Sequence, residues 1–420
     1  MRHDKMMSPI IAGLPSQAES DHYTVFFGYR DPAARRSGLG IHGVRNPTLI
    51  NVYLEALERL YQAMTGPVFR RPAPRVDDSG RTPVYVFNIA DRFASNSPFM
   101  MVDQDGIPYL GLPCRSADPT LQAAFHRAAS EAVHEATHAF NWSARLYQGG
   151  LWQEGWHWFN EATAVFMERC LLAGNPDAIR FCLDWTDMPE RPLDNRAGMY
   201  EAGMFATYLA TRFRHGLISD LWTQSTRTET PFDTLNRLMQ TECPELHTTE
   251  PALCPVFAEY CLDSYFLWDY QSKGFALDVY IRFGKRALAD CAALAPGGSH
   301  IFKNTADHLG CRYQRIELAS GVRRLRLQAT LSSGSAGRLD IRAAVVTKDM
   351  KRGSVVHLVP VETPGPPETV CLVAELDPIN PAATDNVVLM VANCGARAAV
   401  SNPDVPHDDG REYTIEVEAT

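Results

Sequence analysis

The sequence predicts an α+β protein: a small amino-terminal sheet joined to a helical subdomain, followed by a separate antiparallel β-sandwich. Three observations carry this. Strand-like runs alternate with a helix-like segment over residues 1–118, and apolar residues recur at helical spacing over 119–295. At Ala295-Pro-Gly-Gly-Ser299 the composition changes, and beyond it, over 300–420, short apolar runs alternate with polar residues between clusters of Gly, Pro, Asn and Asp.

The elements follow in order. Asp21 to Gly28 reads as a strand, Asn46 to Gly66 as an amphipathic helix and Pro83 to Asn88 as a second strand. The stretch Gly106 to Cys114, bounded by prolines, reads as an edge strand whose free backbone groups accept an extended peptide by strand addition. Thr120 to Val133 consists of good helix formers and leads directly into His134-Glu-Ala-Thr-His138. Glycines in Gln148-Gly-Gly end that helix, and a new one starts near Asn160, the expected N-cap. Met199 to Arg214, Pro231 to Thr241 and Ala258 to Trp268 complete the helical part. Seven strands follow: Tyr313–Leu318, Arg323–Leu331, Arg338–Val346, Val355–Val361, Val370–Leu376, Val387–Val391 and Tyr413–Val417. The run from Arg323 to Leu331 alternates cleanly, so one face is expected in a core and the other in water.

The chemistry concentrates at residues 134–138. Positions four apart on a helix lie one above the other, so His134 and His138 can offer two imidazole nitrogens to one metal ion. Glu135 is rotated beside them, within reach of a water on the metal, which is where a general base must stand. Zinc at a catalytic site takes a third protein ligand and keeps one position open. The helix Glu161-Ala-Thr-Ala-Val-Phe-Met-Glu168 carries apolar residues spaced to pack on the motif helix, which brings Glu161 to the metal. Glu168, two turns further on, reads as a partner to His134 or His138 or as a surface group.

His134-Glu-Ala-Thr-His138 paired with Trp158-Phe-Asn-Glu-Ala-Thr-Ala164 resembles the gluzincin superfamily of zinc metallopeptidases, most visibly its aminopeptidase branch. The resemblance covers roughly residues 20–240. It implies a zincin-like catalytic domain, one Zn2+ per chain held by His134, His138 and Glu161, and Glu135 as general base. Tyr200-Glu-Ala-Gly203 resembles a further segment of those aminopeptidases and implies Tyr200 as the oxyanion donor, with Tyr208 and His157 as substitutes. Two departures bear on substrate. Between His138 and Glu161 lie 22 residues, more than in that branch, and no G-x-M-E-N strand precedes the motif. Endopeptidase and exopeptidase activity therefore both stay open. Substrate contacts are expected at Tyr109, Leu110 and Gly111 of the predicted edge strand and at His157.

Composition sets the frame. A chain of 420 residues with 45% hydrophobic and 21% charged residues is that of a folded protein. A net charge of −9 without a basic tract argues against nucleic acid as a partner, and no stretch reaches the roughly 18 apolar residues of a membrane span. The expected partner is a peptide or protein substrate; oligomeric state is undetermined. The first fifteen residues, broken by Pro9 and Gly13, make a poor signal peptide, so a cytoplasmic address is expected. Ten cysteines form no C-x-x-C pair; Cys243 and Cys254 flank a polar loop and would close a disulfide in an exported protein. The sandwich reads equally as a docking module or as a stabilising accessory. The alternative to a hydrolase is a non-catalytic peptide- or partner-binding protein with a structural or vestigial zinc site. Glu135 argues against it, because a binding protein has no use for a carboxylate placed to activate water.

Overall fold

The structure, a computed structural model, describes residues 14–29, 43–44, 46–88, 97–114, 121–147, 154–172, 188–195, 198–242, 253–266, 288–332, 335, 338–349, 351–361, 369–395 and 410–420. It is mixed α/β with three sheets. The chain divides into two compact units, Met1–Phe181 with Gly203–Glu229, and Cys182–Ala202 with Thr230–Thr420.

In the first unit, β1 (Ser16–Glu19), β2 (Tyr23–Tyr29), β4 (Thr82–Phe87), β6 (Pro108–Pro113) and β5 (Phe99–Val102) form a sheet in the order β1-β2-β4-β6-β5, with the short β3 (Gly43–Val44) beside β2. Strands β2, β4 and β6 run parallel, and β1 and β5 are antiparallel to their neighbours. Every residue of β4 and β6 is buried, as expected of strands covered on both faces.

This corrects the reading of Gly106 to Cys114. Strand β6 is internal, paired to β4 on one side and to β5 on the other. Pro108 and Pro113 are its first and last residues, so they terminate the strand rather than leave it free. The edge is β5, which the sequence reading missed. Tyr109 packs with Leu14, Tyr85 and Phe87, and Leu110 is fully buried. A Cβ on Gly111 would overlap the ring of Phe99, so that glycine exists to admit the ring.

Helix α1 (Thr48–Thr65) buries Leu49, Ile50, Tyr53, Leu57, Leu60 and Met64 on one face, at the spacing of an amphipathic helix. Helix α2 (Leu121–Tyr147) is 27 residues long and carries the motif. Ala128, Ala132, Ala136, Ala139 and Ala144 on it are all buried. Small side chains let the neighbouring helices approach closely, and α1 and α3 (His157–Leu171) both pack on α2. Phe140, fully buried against Tyr61, anchors the contact; its truncation to alanine costs about 3–5 kcal/mol. Helices α4 (Gly203–Arg212) and α5 (Gly216–Thr223) complete the unit.

Among the described residues the second unit contains α6 (Pro231–Glu242), α7 (Leu253–Tyr265) and ten strands. Strands β7 (Asp290–Leu294), β8 (Ser299–Ala306), β9 (Cys311–Leu318), β10 (Leu325–Ser332), β11 (Leu339–Thr347), β12 (Arg352–His357), β13 (Val359–Val361), β14 (Thr369–Leu376), β15 (Thr384–Asn393) and β16 (Arg411–Ala419) form two five-stranded sheets. Their orders are β13-β14-β10-β16-β8 and β12-β11-β15-β9-β7. Leu325, Leu327, Ile415 and Val417 of one sheet and Ile341, Val387, Leu389 and Val391 of the other belong to one hydrophobic core, so the sheets pack face to face as a sandwich.

The clean alternation in β10 is retained: Leu325, Leu327, Ala329 and Leu331 are buried between more exposed neighbours. The expected strand Val355–Val361 divides at Leu358 into β12 and β13, one in each sheet. Strands β7 and β8 add to the seven expected, and β7 pairs parallel to β9. Helices α6 and α7 fall in the unit of the sandwich rather than in that of α2 and α3. Helix α7 packs on β15 and β11, an attachment that helical periodicity does not encode. In the wider chain, no helix among the described residues is long and apolar enough to cross a membrane.

Candidate metal centre

A ladder of polar contacts joins α2 to α3 and shows that the two run antiparallel. Asn141 donates to Asn160 Oδ1 at 2.9 Å. Next along, His138 Nε2 and His134 Nε2 lie 3.4 and 2.9 Å from Glu161 Oε2. Then His134 Nδ1 meets Glu168 Oε1 at 2.7 Å, and Ser130 donates to the other oxygen of Glu168. Asn160 is therefore not a cap. Helix α3 begins at His157, and Asn160 spends its side chain across the helix pair. Thr137 and Thr163 satisfy their hydroxyls on the carbonyls four residues back, those of Val133 and Phe159, and Trp222 donates to Thr163 at 3.0 Å, which ties α5 to α3.

Two imidazoles thus converge on one carboxylate oxygen. The rings of His134 and His138 stand nearly perpendicular, 4.8 Å apart at their centroids. One ligand atom from each of His134, His138 and Glu161 can be chosen so that all lie within 4.8 Å of one another. A tetrahedral zinc with ligands about 2.1 Å away separates them by about 3.4 Å; the two histidine–Glu161 spacings lie close to this, and the widest spacing, up to 4.8 Å, must close by about 1.4 Å. Two nitrogens and one carboxylate oxygen are a donor set that suits zinc.

Burial opposes charge on every member, and the cluster overcomes it where opposite charges meet. Burial works to raise the Glu161 carboxyl, yet the neighbouring His138 and the hydrogen bond from His134 hold it far below the usual carboxylate range. His134 moves well above 6.5 although burial lowers it, because Glu161 and Glu168 both accept from its ring. His138 is likewise raised, by Glu161 above all, against burial. In Glu135 burial dominates and pushes the carboxyl up, with the two histidines opposing. Protons on the imidazoles balance the carboxylates of this cluster, and His134, His138 and Glu161 form a group that can hold a metal ion.

Of the expected site residues, His134, His138, Glu161 and the buried Glu135 come together on α2 and α3. Glu168 proves to be the partner of His134, the arrangement that fixes which ring nitrogen faces a metal. Among the described residues, Nδ1 of His138 has no hydrogen-bond partner. His157 is exposed, one turn ahead of Glu161 on the same side of α3. Tyr208 is buried on α4 and stacks on Phe205. Tyr200 is half-buried in the turn before α4 and falls in the second unit. Tyr109, Leu110 and Gly111 serve the sheet, as described above. Trp156, just ahead of α3, is buried, donates to the Glu229 carbonyl at 2.9 Å and packs on Trp222. Ser130 and Asn141 were missed. Their spacing from the histidines at i−4 and i+3 was the available signal.

A sequence profile of a family of unknown function (DUF6055) matches residues 120–311, a span that contains every residue of the cluster. No curated protein matches. Among solved structures, a pre-peptidase C-terminal domain of collagenase from Bacillus anthracis is similar at 9% identity, with a TM-score of 0.17, covering 32% of this chain and 98% of that one.

Proposed function

We propose that this chain is a zinc-dependent hydrolase of peptide bonds with a zincin-like catalytic domain. The observation that carries the reading is the convergence of His134, His138 and Glu161 within 4.8 Å with the buried Glu135 next to it on the same helix. One zinc ion is expected per chain, held by those three side chains. Zinc, when bound, supplies Lewis acidity that makes water a nucleophile near neutral pH and polarises a carbonyl.

The chain's residues do the rest. Glu135 Oε takes a proton from the attacking water and returns it to the leaving amine. Glu168 holds the Nδ1 proton of His134 and so keeps Nε2 directed at the ion. A donor to the carbonyl oxygen as charge develops there is worth about 3 kcal/mol; within the first unit Tyr208 and His157 are the candidates, since Tyr200 falls in the second. A peptide rather than another amide is favoured by β5, the antiparallel edge of the sheet, which packs beside α2 and can add an extended chain as a further strand.

Metal analysis of the purified protein with and without chelator, coupled to cleavage of a mixed peptide library, tests the reading. About one zinc per chain and chelator-sensitive cleavage are expected. Glu135→Gln should keep its zinc and lose at least about a hundredfold in turnover, whereas His138→Ala should lose both. Turnover that survives Glu135→Gln removes the assigned base, and absence of bound metal removes the reading.

A further inference from the structure

Outside the His134–His138–Glu161 cluster, four buried cysteines lie on α7 and on the strands it packs against. Cys254 and Cys261 lie seven residues apart on this helix, two turns along one face, about 10 Å from each other. The sheet beneath offers a matching pair. Cys311 opens β9 opposite Ala392 of β15, and Cys394 lies two residues beyond Ala392. One strand spacing sideways and two residues along a strand separate those sulfurs' backbones by about 8 Å. The two intervals agree well enough for both contacts to form at once.

The Cys394 thiol donates to the Cys254 carbonyl at 3.3 Å, which puts that pair in contact, and Cys311 is near enough to Cys261 to help raise its thiol, as Cys254 does for Cys394. All four residues are buried. Tyr313, on the same strand as Cys311, donates to the Cys261 carbonyl at 2.5 Å and pins the helix at that level. Among the described residues no third metal-ligating side chain joins either pair, so a cysteine metal site, which needs three or four donors, does not account for them.

We propose that Cys254 with Cys394, and Cys261 with Cys311, are two disulfide sites that staple α7 to the adjacent β15 and β9 when the chain folds in contact with a small-molecule disulfide such as oxidised glutathione. Each bond forms by exchange. One cysteine thiolate attacks a sulfur of the oxidant and releases one of its halves as a thiol. The partner thiolate then attacks the mixed disulfide and releases the second half. Two cysteine thiols are oxidised, one oxidant disulfide is reduced to two thiols, and the protons pass to the released thiolates. Burial, with the neighbouring thiol, holds Cys261 and Cys394 well above the ordinary 9.0. Exchange in the folded state is therefore slow, and the bonds must close during folding, before the thiols are covered. The pairing replaces the expected Cys243–Cys254 link, of which Cys243 lies outside the described residues. It also bears on the cytoplasmic address expected from the sequence, because such bonds persist where the surroundings are oxidising.

The test is refolding of the full reduced chain in a mixture of oxidised and reduced glutathione, then alkylation under denaturing conditions and peptide mapping without reductant. Cross-linked peptides joining 254 to 394 and 261 to 311 are expected. The oxidised chain should also melt about 10 °C above the same chain refolded in reductant. The double variant Cys254→Ser, Cys394→Ser should lose its own cross-link and keep the other. Full alkylation of all four residues, glutathione adducts in place of cross-links, or a 243–254 link overturns the proposal. The wild-type map decides the matter even if the variant does not fold, and no readout depends on hydrolase activity.

Discussion

His134 holds two carboxylates at once, Glu161 on one ring nitrogen and Glu168 on the other, and this double contact makes two predictions. Glu168→Ala leaves all three proposed metal ligands in place but frees the ring of His134 to turn; zinc affinity, measured by competition with a chromophoric chelator, should fall about 10–100-fold. Unchanged affinity would make Glu168 a packing residue only. The second prediction concerns pH. With its value raised above 6.5, His134 is protonated near neutrality in the metal-free chain. That charge stabilises the metal-free fold fully below 6.5, the unfolded value, and the benefit is lost as pH rises through the raised folded value. Zinc must displace the proton, so affinity should increase by up to about tenfold per pH unit for each proton released. The gain in melting temperature at fixed free zinc should accordingly be larger at pH 8 than at pH 6, and a flat profile would remove His134 as a ligand. Glu161, held far down by the histidines, stays ionised throughout this range. At this scale the clustering of the two histidines and Glu135 was legible, because side-chain spacing on one helix is a property of the sequence, and Glu161 was legible from the apolar pattern that packs its helix on theirs. Tyr109, Leu110 and Gly111 were misread, because a strand's neighbours decide whether its backbone is free.

The helix pair is held by its surroundings as much as by its ladder. Gly203, at the start of α4, lies where a Cβ would stand 2.6 Å from Cγ1 and 2.8 Å from Cβ of Val165 on α3. A methyl group there pushes on the helix that carries Glu161. Gly203→Ala should cost about 1–3 kcal/mol by overpacking and weaken zinc retention together with thermal stability. Normal stability with normal zinc would show that α3 shifts without consequence. Element type was largely visible in the pattern: α1 was expected over 46–66 and spans Thr48–Thr65. The errors fell where context overrides pattern. Asn160 looked like a cap but is taken by Asn141, and the run 355–361 divides between two sheets. The short edges β1 and β5, with four residues each, are too brief to show a period.

Across the whole molecule, the proposed metal ligands all lie in the first unit, and the sandwich lies in the second. A ligand stabilises only the unit that binds it. In calorimetry, zinc at about a thousand times its dissociation constant should raise the transition of the first unit by about 8–16 °C and leave that of the second in place. One transition moving as a block would show that the two units unfold together. The division itself was only partly readable. The change of composition at residues 295–299 marks the onset of alternating strands, yet β7 precedes it, and α7, on which α6 packs, lies against strands that follow.

The sequence by itself determined the periodicities, the spacing of His134, Glu135 and His138, and the alternation of the later strands. These are local properties, set by 3.6 residues per helical turn and two per strand repeat. Only the tertiary structure decided that Glu168 belongs to His134, that β6 is enclosed while β5 is the edge, and that Cys254 and Cys261 meet Cys394 and Cys311. Each of those depends on which surfaces are brought together by burial of apolar area, a non-directional force that leaves no fixed interval in the chain.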